Sequence, residues 1–190
     1  VCVECAMAKM LEKRAARGST REVYGMLTCS VDTDDMICVS ANGNRYFTTA
    51  VLRESQLGQV SPGSKKDAIS TARRWRQMKT WFEVVTDPGG TTKVQVMERD
   101  PGSEFQGAVR TDLEADNMLD FVGETDRHTH ASLAENRQRM LPRTATAMSL
   151  TAFQGDHSQY DDLAKAAWSE AIVAANTVTN HQAITAEQHQ

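Results

Sequence analysis

The sequence predicts a mainly helical protein, and two observations lead to this fold class. Alanine is abundant and nine of the 190 residues are methionine, whereas only 6% are aromatic, a balance that favours helix over sheet. A Ser followed three residues later by an acid, which is a helix-start signal, precedes two amphipathic stretches, at Ser64 with Asp67 and at Ser132 with Glu135. No apolar run approaches the roughly 18 residues of a membrane-spanning helix. Any contact with a membrane is therefore expected at its surface.

The first elements are two predicted helices on either side of an ambiguous segment. Residues 3–17 have helical periodicity. Residues 22–40 are ambiguous, because their β-branched residues and the following Asn42-Gly43 pair are typical of a hairpin by propensity. Residues 46–54 look helical, and a loop rich in Gly, Ser and Pro follows over residues 58–64.

The clearest helix of the first half is DAISTARRWRQMKTWF, directly after the first capping signal. At about 100° per residue its apolar side chains share one face. Lys66, Arg73 and Arg76 fall on the other side, with Arg74 on the flank. The stretch TTKVQVM that follows predicts a short strand or a helical turn. The apolar face consists of Ala68, Ala72, Trp75, Met78 and Phe82.

The second half predicts three further helices. Residues 104–123 form an acidic amphipathic pattern, and a polar linker follows. Ser132 opens a helix through Phe153, which Pro142 should kink or restart. Between residues 160 and 178 an Ala-rich helix places one stripe at Leu163, Ala167, Ala171, Ala174 and Val178. The layout is a larger N-terminal unit to about residue 124, a linker and a small helical C-terminal unit.

Charge is unevenly distributed along the chain, although the net charge is only −4. Residues 61–82 carry six bases and one acid, six minus one or +5, whereas residues 98–126 carry nine acids and two bases, two minus nine or −7. Such a chain can present a basic surface to an anionic partner and contact copies of itself. Each base near an anionic leaflet contributes on the order of 1 kcal/mol, so one protomer should bind weakly and salt-sensitively. The same bases could instead neutralise nucleic-acid phosphates.

The cysteines do not form the two tight pairs of a structural zinc site. Cys2 and Cys5 are close in sequence, but Cys29 and Cys38 are too far apart to be a second pair. Buried thiols in a reducing compartment are therefore expected.

Other candidate sites also fail on spacing or context. Asp126, His128 and His130 belong to a polar linker and are expected to be solvated. There is no phosphate loop, G-x-S-x-G or H-E-x-x-H motif. We therefore expect a non-enzymatic protein with no catalytic, cofactor-binding or metal-binding residue. A calcium loop is not expected either, because its Gly and closing Glu are missing around Asp32, Asp34 and Asp35.

The order of several segments resembles that of orthomyxovirus matrix proteins. RYFTTAVLRES, a polar loop and KKDAISTARRWRQMKTWF look like the family's Arg-x-Phe helix, loop and basic helix. QGAVRTDLEADNMLDFVGETDRHTH is similar to its acidic helix and His-containing linker, and ENRQRMLPRTATAM to its Glu-Asn-Arg helix. DDLAKAAWSEAIVAANTV falls where the family has an Ala-rich helix. The segments cover most of residues 20–180, and the compact length resembles the isavirus branch.

The resemblance implies an all-α fold and overrules the hairpin suggested by propensity. A helical N-terminal matrix domain would span residues 1–124, a linker residues 125–133 and a smaller helical C-terminal domain residues 134–190. The chain would then be a structural matrix protein that polymerises beneath a viral envelope. One protomer would bind the membrane weakly, and the polymer strongly by multivalency.

The partners expected from this interpretation are an anionic phospholipid membrane bound peripherally, viral ribonucleoprotein or RNA, and further copies of the chain. The location expected is the virion beneath the envelope, with host cytoplasm, the inner face of the plasma membrane and the nucleus. A nucleic-acid-binding regulator or nucleocapsid protein is the alternative, and an enzyme of unknown chemistry is a third class. The residues expected to contact the anionic partner are Lys65, Lys66, Arg73, Arg74, Arg76 and Lys79, with Lys13, Arg14 and Arg17.

Overall fold

A five-stranded mixed sheet forms the centre of the protein in the computed structural model, which describes residues 27–123, 132–152 and 157–187. A short 3-10 turn, Ser103–Phe105, follows the fourth strand. The strands are β1 (Leu27–Asp35), β2 (Tyr46–Leu52), β3 (Gly58–Gly63), β4 (Val94–Arg99) and β5 (Leu119–Val122). The α-helices are α1 (Ala68–Thr86), α2 (Ala108–Ala115), α3 (Ser132–Ala152) and α4 (His157–Glu187).

The strand order is β3-β2-β1-β4-β5, so β1 lies at the centre of the sheet. β1 to β3 form an antiparallel meander, in which Val31 pairs with Ala50. β4 runs parallel to β1 and pairs Arg99 with Val31, and β5 runs parallel to β4. The carboxyl ends of β1 and β4 therefore meet at the same edge of the sheet.

Over the described residues 27–50, the β1–β2 hairpin confirms the propensity-based suggestion and contradicts the helical expectation that replaced it. Gly43 takes a φ of +75° in the connection, a conformation that costs glycine little. The helix predicted over residues 46–54 is wrong, because YFTTAVL forms β2 and is almost entirely buried. Its aromatic and β-branched residues suit a strand that is covered on both faces.

The all-α fold is therefore wrong, and with it the description of the chain as a helical matrix protein. The whole of β3 lies within residues 58–64, which were predicted as a loop, and TTKVQVM contributes most of β4. Composition favoured helix because Ala is concentrated in the helices, whereas the strands are short and do not show the period of a helix. Tertiary packing on both faces of the sheet decided their conformation.

Two apolar cores lie on opposite faces of the sheet. α1 and α2 cover one face, where Val31 and Met97 pack against Trp75, Phe82 and Leu113. α3 and α4 cover the other face, in a second cluster that contains Phe47, Val60, Leu141, Ala145, Trp168, Ile172 and Ala175. The helices of the predicted C-terminal domain thus pack directly on the sheet.

Helices α1, α3 and α4 confirm the three strongest helical patterns. Asp67 caps α1 by accepting a hydrogen bond from the Ser70 N–H at 2.9 Å. α3 continues through Pro142. The buried stripe of α4 is displaced by one residue from the predicted one: Ala167 and Ala174 are exposed, whereas Trp168 and Ala175 are buried.

The acidic helix predicted over residues 104–123 is only partly correct. α2 is much shorter and does bury Val109 and Leu113. Asn117 takes a φ of 53°, and the chain then turns into β5, where Leu119 and Val122 are exposed. The helix predicted over residues 3–17 lies outside the described residues.

Candidate functional site

Two aspartates lie side by side at the carboxyl ends of the central parallel strands. The pairing of Val31 with Arg99 puts the next residue of each chain, Asp32 and Asp100, at adjacent positions on β1 and directly after β4. Neighbouring strands are about 4.8 Å apart. Asp32 and Asp100 are both partly buried. The register thus places two carboxylates close enough to share one small ligand.

The first turn of α3 brings a third carboxylate, Glu135, over the same face of the sheet. Ser30 and Asp32 share that face because they are two residues apart on β1. The N–H of Ala134 donates to the Ser30 Oγ at 3.3 Å, and Ala134 is fully buried. This contact fixes the start of α3 on β1 immediately beside Asp32. Glu135, the next residue of α3, is therefore held near Asp32.

The electrostatics of Asp32 show that these carboxylates influence one another. Burial is the largest cause and, with it, the negative charges of Asp100, Glu135 and Asp34 raise the pKa of Asp32 to about 6. The N–H of Thr33, which donates to Asp32 Oδ1 at 2.8 Å, acts in the opposite direction. A partly buried acid surrounded by acids is an electrostatically unfavourable arrangement that a bound cation would relieve.

Residues around Asp100 hold its backbone in place. The guanidinium of Arg99, which is only 2% exposed, donates to both carboxylate oxygens of Asp120 at 2.9 and 2.7 Å. Its Nη1 also donates to the carbonyl of Asp100 at 3.3 Å. Because bidentate pairs of this type are strong and directional, they fix the end of β4 against β5.

The donor set suits a hard divalent cation, because carboxylate oxygens are the ligands that Mg²⁺ and Mn²⁺ prefer. In the side-chain conformations seen, no three Asp, Glu, His or Cys groups of the described ranges come close enough to hold one ion. Glu135 instead lies 3.5 Å from the Arg139 guanidinium, one helical turn further on. That pair is exposed on the arginine side and therefore weak, so Glu135 can rotate away from Arg139 at little cost.

The bases predicted to form an anion-binding surface do not lie together on one free face. Lys65 and Arg73 are exposed. Arg74 is buried, and burial lowers the pKa of its guanidinium. It donates to the hydroxyls of Thr48 and Thr71 at 3.0 and 3.1 Å and to the Lys65 carbonyl at 3.0 Å. Arg74 therefore joins α1 to the sheet.

The other predicted bases form ion pairs with the acidic segment of the same chain. Lys66 lies 3.5 Å from both Asp35 and Glu104. Arg76 pairs with Asp112 at 2.7 Å, and Lys79 lies 3.0 Å from Glu83 and 3.1 Å from Asp116. Three bases of residues 61–82 thus pair with acids of residues 98–126 within one molecule. Lys13, Arg14 and Arg17 lie outside the described residues, as do Asp126, His128 and His130.

The sequence analysis did not identify the carboxylate site. Asp32 was considered only for a calcium loop, Asp100 only as part of the acidic segment and Glu135 only as a capping residue. A usable signal was present: Asp32 follows the alternating stretch LTCSV, and Asp100 follows VQVMER, whose β-branched and apolar residues are typical of a strand. Recognising both runs as parallel neighbours would have placed the two acids together.

Among the remaining candidates, Cys29 is a buried free thiol and Cys38 a partly buried one. None of the helices in the described ranges combines the length and apolar character needed to cross a bilayer.

Comparison with known proteins gives a distant structural likeness. No protein-family model matches the chain, and no curated protein matches it significantly. A solved structure of the catalytic core domain of BIV integrase is similar with a TM-score of 0.49 and 16% identity, over 78% of this chain and 80% of that one. Because this similarity is so distant, the assignment of the site depends on the geometry of the chain's own residues. They define a mixed α/β protein with three carboxylates at the end of its central parallel strands.

Proposed function

We propose that the protein is a divalent-cation-dependent enzyme that cleaves or transfers phosphodiester bonds of a nucleic acid. The observation that carries this proposal is the convergence of Asp32, Asp100 and Glu135 from β1, the end of β4 and the first turn of α3. Asp32 and Asp100 would hold the cation between them. Glu135 would complete the set after it leaves Arg139.

The charge of the cluster supports cation binding over acid–base catalysis without a metal. At neutral pH Asp32 is largely ionised despite its raised pKa of about 6, so the cluster of acids has a negative charge at its centre. An anionic substrate would be repelled from this site unless a cation neutralised it. Two-metal sites in nucleases and polymerases meet the same requirement.

A bound cation would polarise a phosphoryl oxygen and make a coordinated water a better nucleophile near neutral pH. The chain's own contribution is to fix the carboxylates on rigid elements. Asp32 lies within the central strand, the Arg99–Asp120 pair holds the backbone at Asp100, and the Ser30–Ala134 contact holds the helix that carries Glu135. Precise placement of this kind is what phosphoryl transfer requires from a protein.

The exposed face of α3 provides a reason to expect a long, anionic substrate. Asn136, Arg139 and Arg143 are all exposed and follow Glu135 along one side of the helix. Arg139 and Arg143 are separated by one turn, so their guanidinium groups can contact successive phosphates of a strand. A nucleic-acid backbone leaving the carboxylates along α3 would meet both arginines.

The experiment that tests this function is a cleavage assay on the full chain. Labelled single-stranded and double-stranded DNA and RNA oligonucleotides are incubated with Mn²⁺, with Mg²⁺ or with EDTA. We expect cleavage or strand joining with Mn²⁺ that stops when EDTA removes the cation. Equal product in EDTA, or no product from any of the four substrates with either cation, would overturn the proposal.

The earlier expectations of binding to an anionic membrane, to ribonucleoprotein and to further copies remain predictions, as does the expected location in a virion. Four of the bases that motivated them have partners within the chain, through the ion pairs of Lys66, Arg76 and Lys79 and the burial of Arg74. The cleavage function is favoured here because it uses residues that the fold brings together.

A further inference from the structure

A buried polar network lies on the side of α3 away from the carboxylates. At its centre is Arg137, which is only 4% exposed. Arg137 Nε and Nη2 donate to the Asn176 Oδ1 of α4 at 3.2 and 2.9 Å, and Nη2 also donates to the Asn180 Oδ1. Its Nη1 donates to the Gln56 carbonyl at 3.2 Å, in the turn between β2 and β3. One guanidinium therefore connects α3, α4 and that turn.

The two asparagines extend this network to the backbone of Gly58. The amide groups of Asn176 and Asn180 both donate to the Gly58 carbonyl, at 2.9 and 2.7 Å, and the Gly58 N–H donates to the Asn180 Oδ1 at 2.8 Å. Gly58 also lacks a side chain where one would collide: a Cβ there would lie 2.6 Å from the Arg137 Cζ. The turn, the glycine and both asparagines thus fit around the guanidinium.

The position of Arg137 relative to Glu135 explains why this network matters for the site. Two residues on a helix are separated by about 200°, so Arg137 and Glu135 leave α3 on opposite sides. The arc of the helix surface between Arg137 and Glu135 faces the sheet, and its residues Ala134, Gln138 and Leu141 are buried. Fixing the Arg137 side against β3 and α4 therefore fixes the rotation of α3 about its axis. That rotation decides whether Glu135 faces Asp32.

We propose that Arg137 is a positioning residue: through Asn176, Asn180 and the β2–β3 turn it holds the first turns of α3 so that Glu135 faces Asp32 and Asp100. The catalytic part of this inference rests on the proposed function. The structural part concerns the placement of α3 on β1 and can be measured without cation or substrate.

The Ala134 amide is a local probe of that placement. α3 begins at Ser132, so the Ala134 N–H belongs to the first turn and has no acceptor within the helix. Its acceptor is the Ser30 Oγ of β1. Slow hydrogen exchange at Ala134 therefore reports contact between α3 and β1, whereas the Val31 amide at the centre of the sheet reports more global opening.

The test compares hydrogen exchange and cleavage kinetics of the full chain with Arg137→Met, Asn180→Ala and Gly58→Ala. These changes alter the network at three different elements, α3, α4 and the start of β3. Asn180→Ala is the mildest of them and serves as the test if Arg137→Met folds poorly. We expect each to accelerate exchange at Ala134 at least about tenfold relative to Val31. We also expect a fall in kcat of at least about tenfold with KM changed less than about threefold. Arg110→Met, at an exposed arginine of α2, is the matched control and should change neither quantity.

The outcomes separate this inference from the proposed function. Unchanged exchange at Ala134, or exchange that accelerates equally at Ala134 and Val31, overturns the positioning role. Selective acceleration at Ala134 with kcat unchanged also overturns it, because Glu135 would then function without the network. The unmodified chain could also show no cation-dependent cleavage while the variants exchange selectively faster at Ala134. That result supports the placement of α3 by Arg137 and overturns only the proposed function.

Discussion

Replacing Asp32 with Asn is expected to reduce cation-dependent cleavage at least about 1,000-fold. Asp32 is close enough to Asp100 and Glu135 for both to raise its pKa, so its loss weakens cation binding and the stabilisation of charge in the transition state. A metal ion contributes several kcal/mol to that stabilisation, and about 4 kcal/mol corresponds to a factor of 1,000 in rate. Asp100→Asn and Glu135→Gln are expected to reduce cleavage to a similar extent.

The measurement is the single-turnover rate of oligonucleotide cleavage at saturating Mn²⁺. Glu114→Gln is the matched control, because Glu114 is an exposed acid of α2 that pairs with Arg110, remote from β1. It should cleave at the unmodified rate. If Asp32→Asn and Asp100→Asn both retained more than about a tenth of the unmodified rate, the assignment of these carboxylates would be wrong.

The same Asp32→Asn change is expected to make the protein more stable at neutral pH. The folded protein raises the pKa of Asp32 from 3.8 to about 6, so between these values it binds more protons than the unfolded chain does. The free energy of unfolding therefore falls as the pH rises from about 4 to about 6, and the full destabilisation is present above pH 6. Two pKa units correspond to about 3 kcal/mol, an upper value that Asn would recover.

Unfolding in urea at several pH values measures this effect. The free energy of unfolding of Asp32→Asn should exceed that of the unmodified chain by about 1 to 3 kcal/mol at pH 7.5, and the difference should vanish near pH 4. A large loss of activity combined with a gain in stability cannot result from misfolding. A variant that is less stable at pH 7.5, or a difference that does not depend on pH, would show that Asp32 is not held in an acidic, partly buried cluster.

Much of the helical part of the fold could be predicted from sequence. α1 follows from the spacing of Trp75, Met78 and Phe82, which are buried as expected, although Asp67 caps the helix and not Ser64 three residues earlier. α3 and α4 were also predicted, because long amphipathic stretches carry a periodic signal over many residues. The stripe of α4 was misplaced by one residue because alanine is equally common on both sides of that helix.

The sequence signal for the strands was weaker than the signal for the helices, for physical reasons. β1 alternates apolar and polar residues from Leu27 to Asp32, although its polar residues Thr28 and Ser30 are buried as well. β2 alternates little, because both of its faces are covered by helices. The β2 sequence YFTTAVL therefore has no period that separates strand from helix, and its neighbours in space decide its conformation. The resemblance to matrix proteins then removed the hairpin that the Asn42-Gly43 pair had correctly suggested.

The candidate site was harder still to predict, because its members meet only through long-range pairing. Asp32 and Asp100 become neighbours through the parallel register of β1 and β4. Glu135 joins them through the packing of α3, which depends on Arg137 and on two asparagines far along α4. The charge segregation that the sequence displayed had a different role: Arg76 and Lys79 pair with Asp112 and Asp116 and so hold α1 against the segment around α2.

Anomalous X-ray scattering from crystals of the full chain soaked in Mn²⁺ tests the central claim most directly. We expect an anomalous peak between the carboxylates of Asp32 and Asp100, with metal–oxygen distances of about 2.1 to 2.3 Å and with Glu135 turned away from Arg139 towards the ion. The peak should be absent from Asp32→Asn crystals soaked in the same solution. Density for Mn²⁺ at other surface acids, with none between Asp32 and Asp100, would contradict the account.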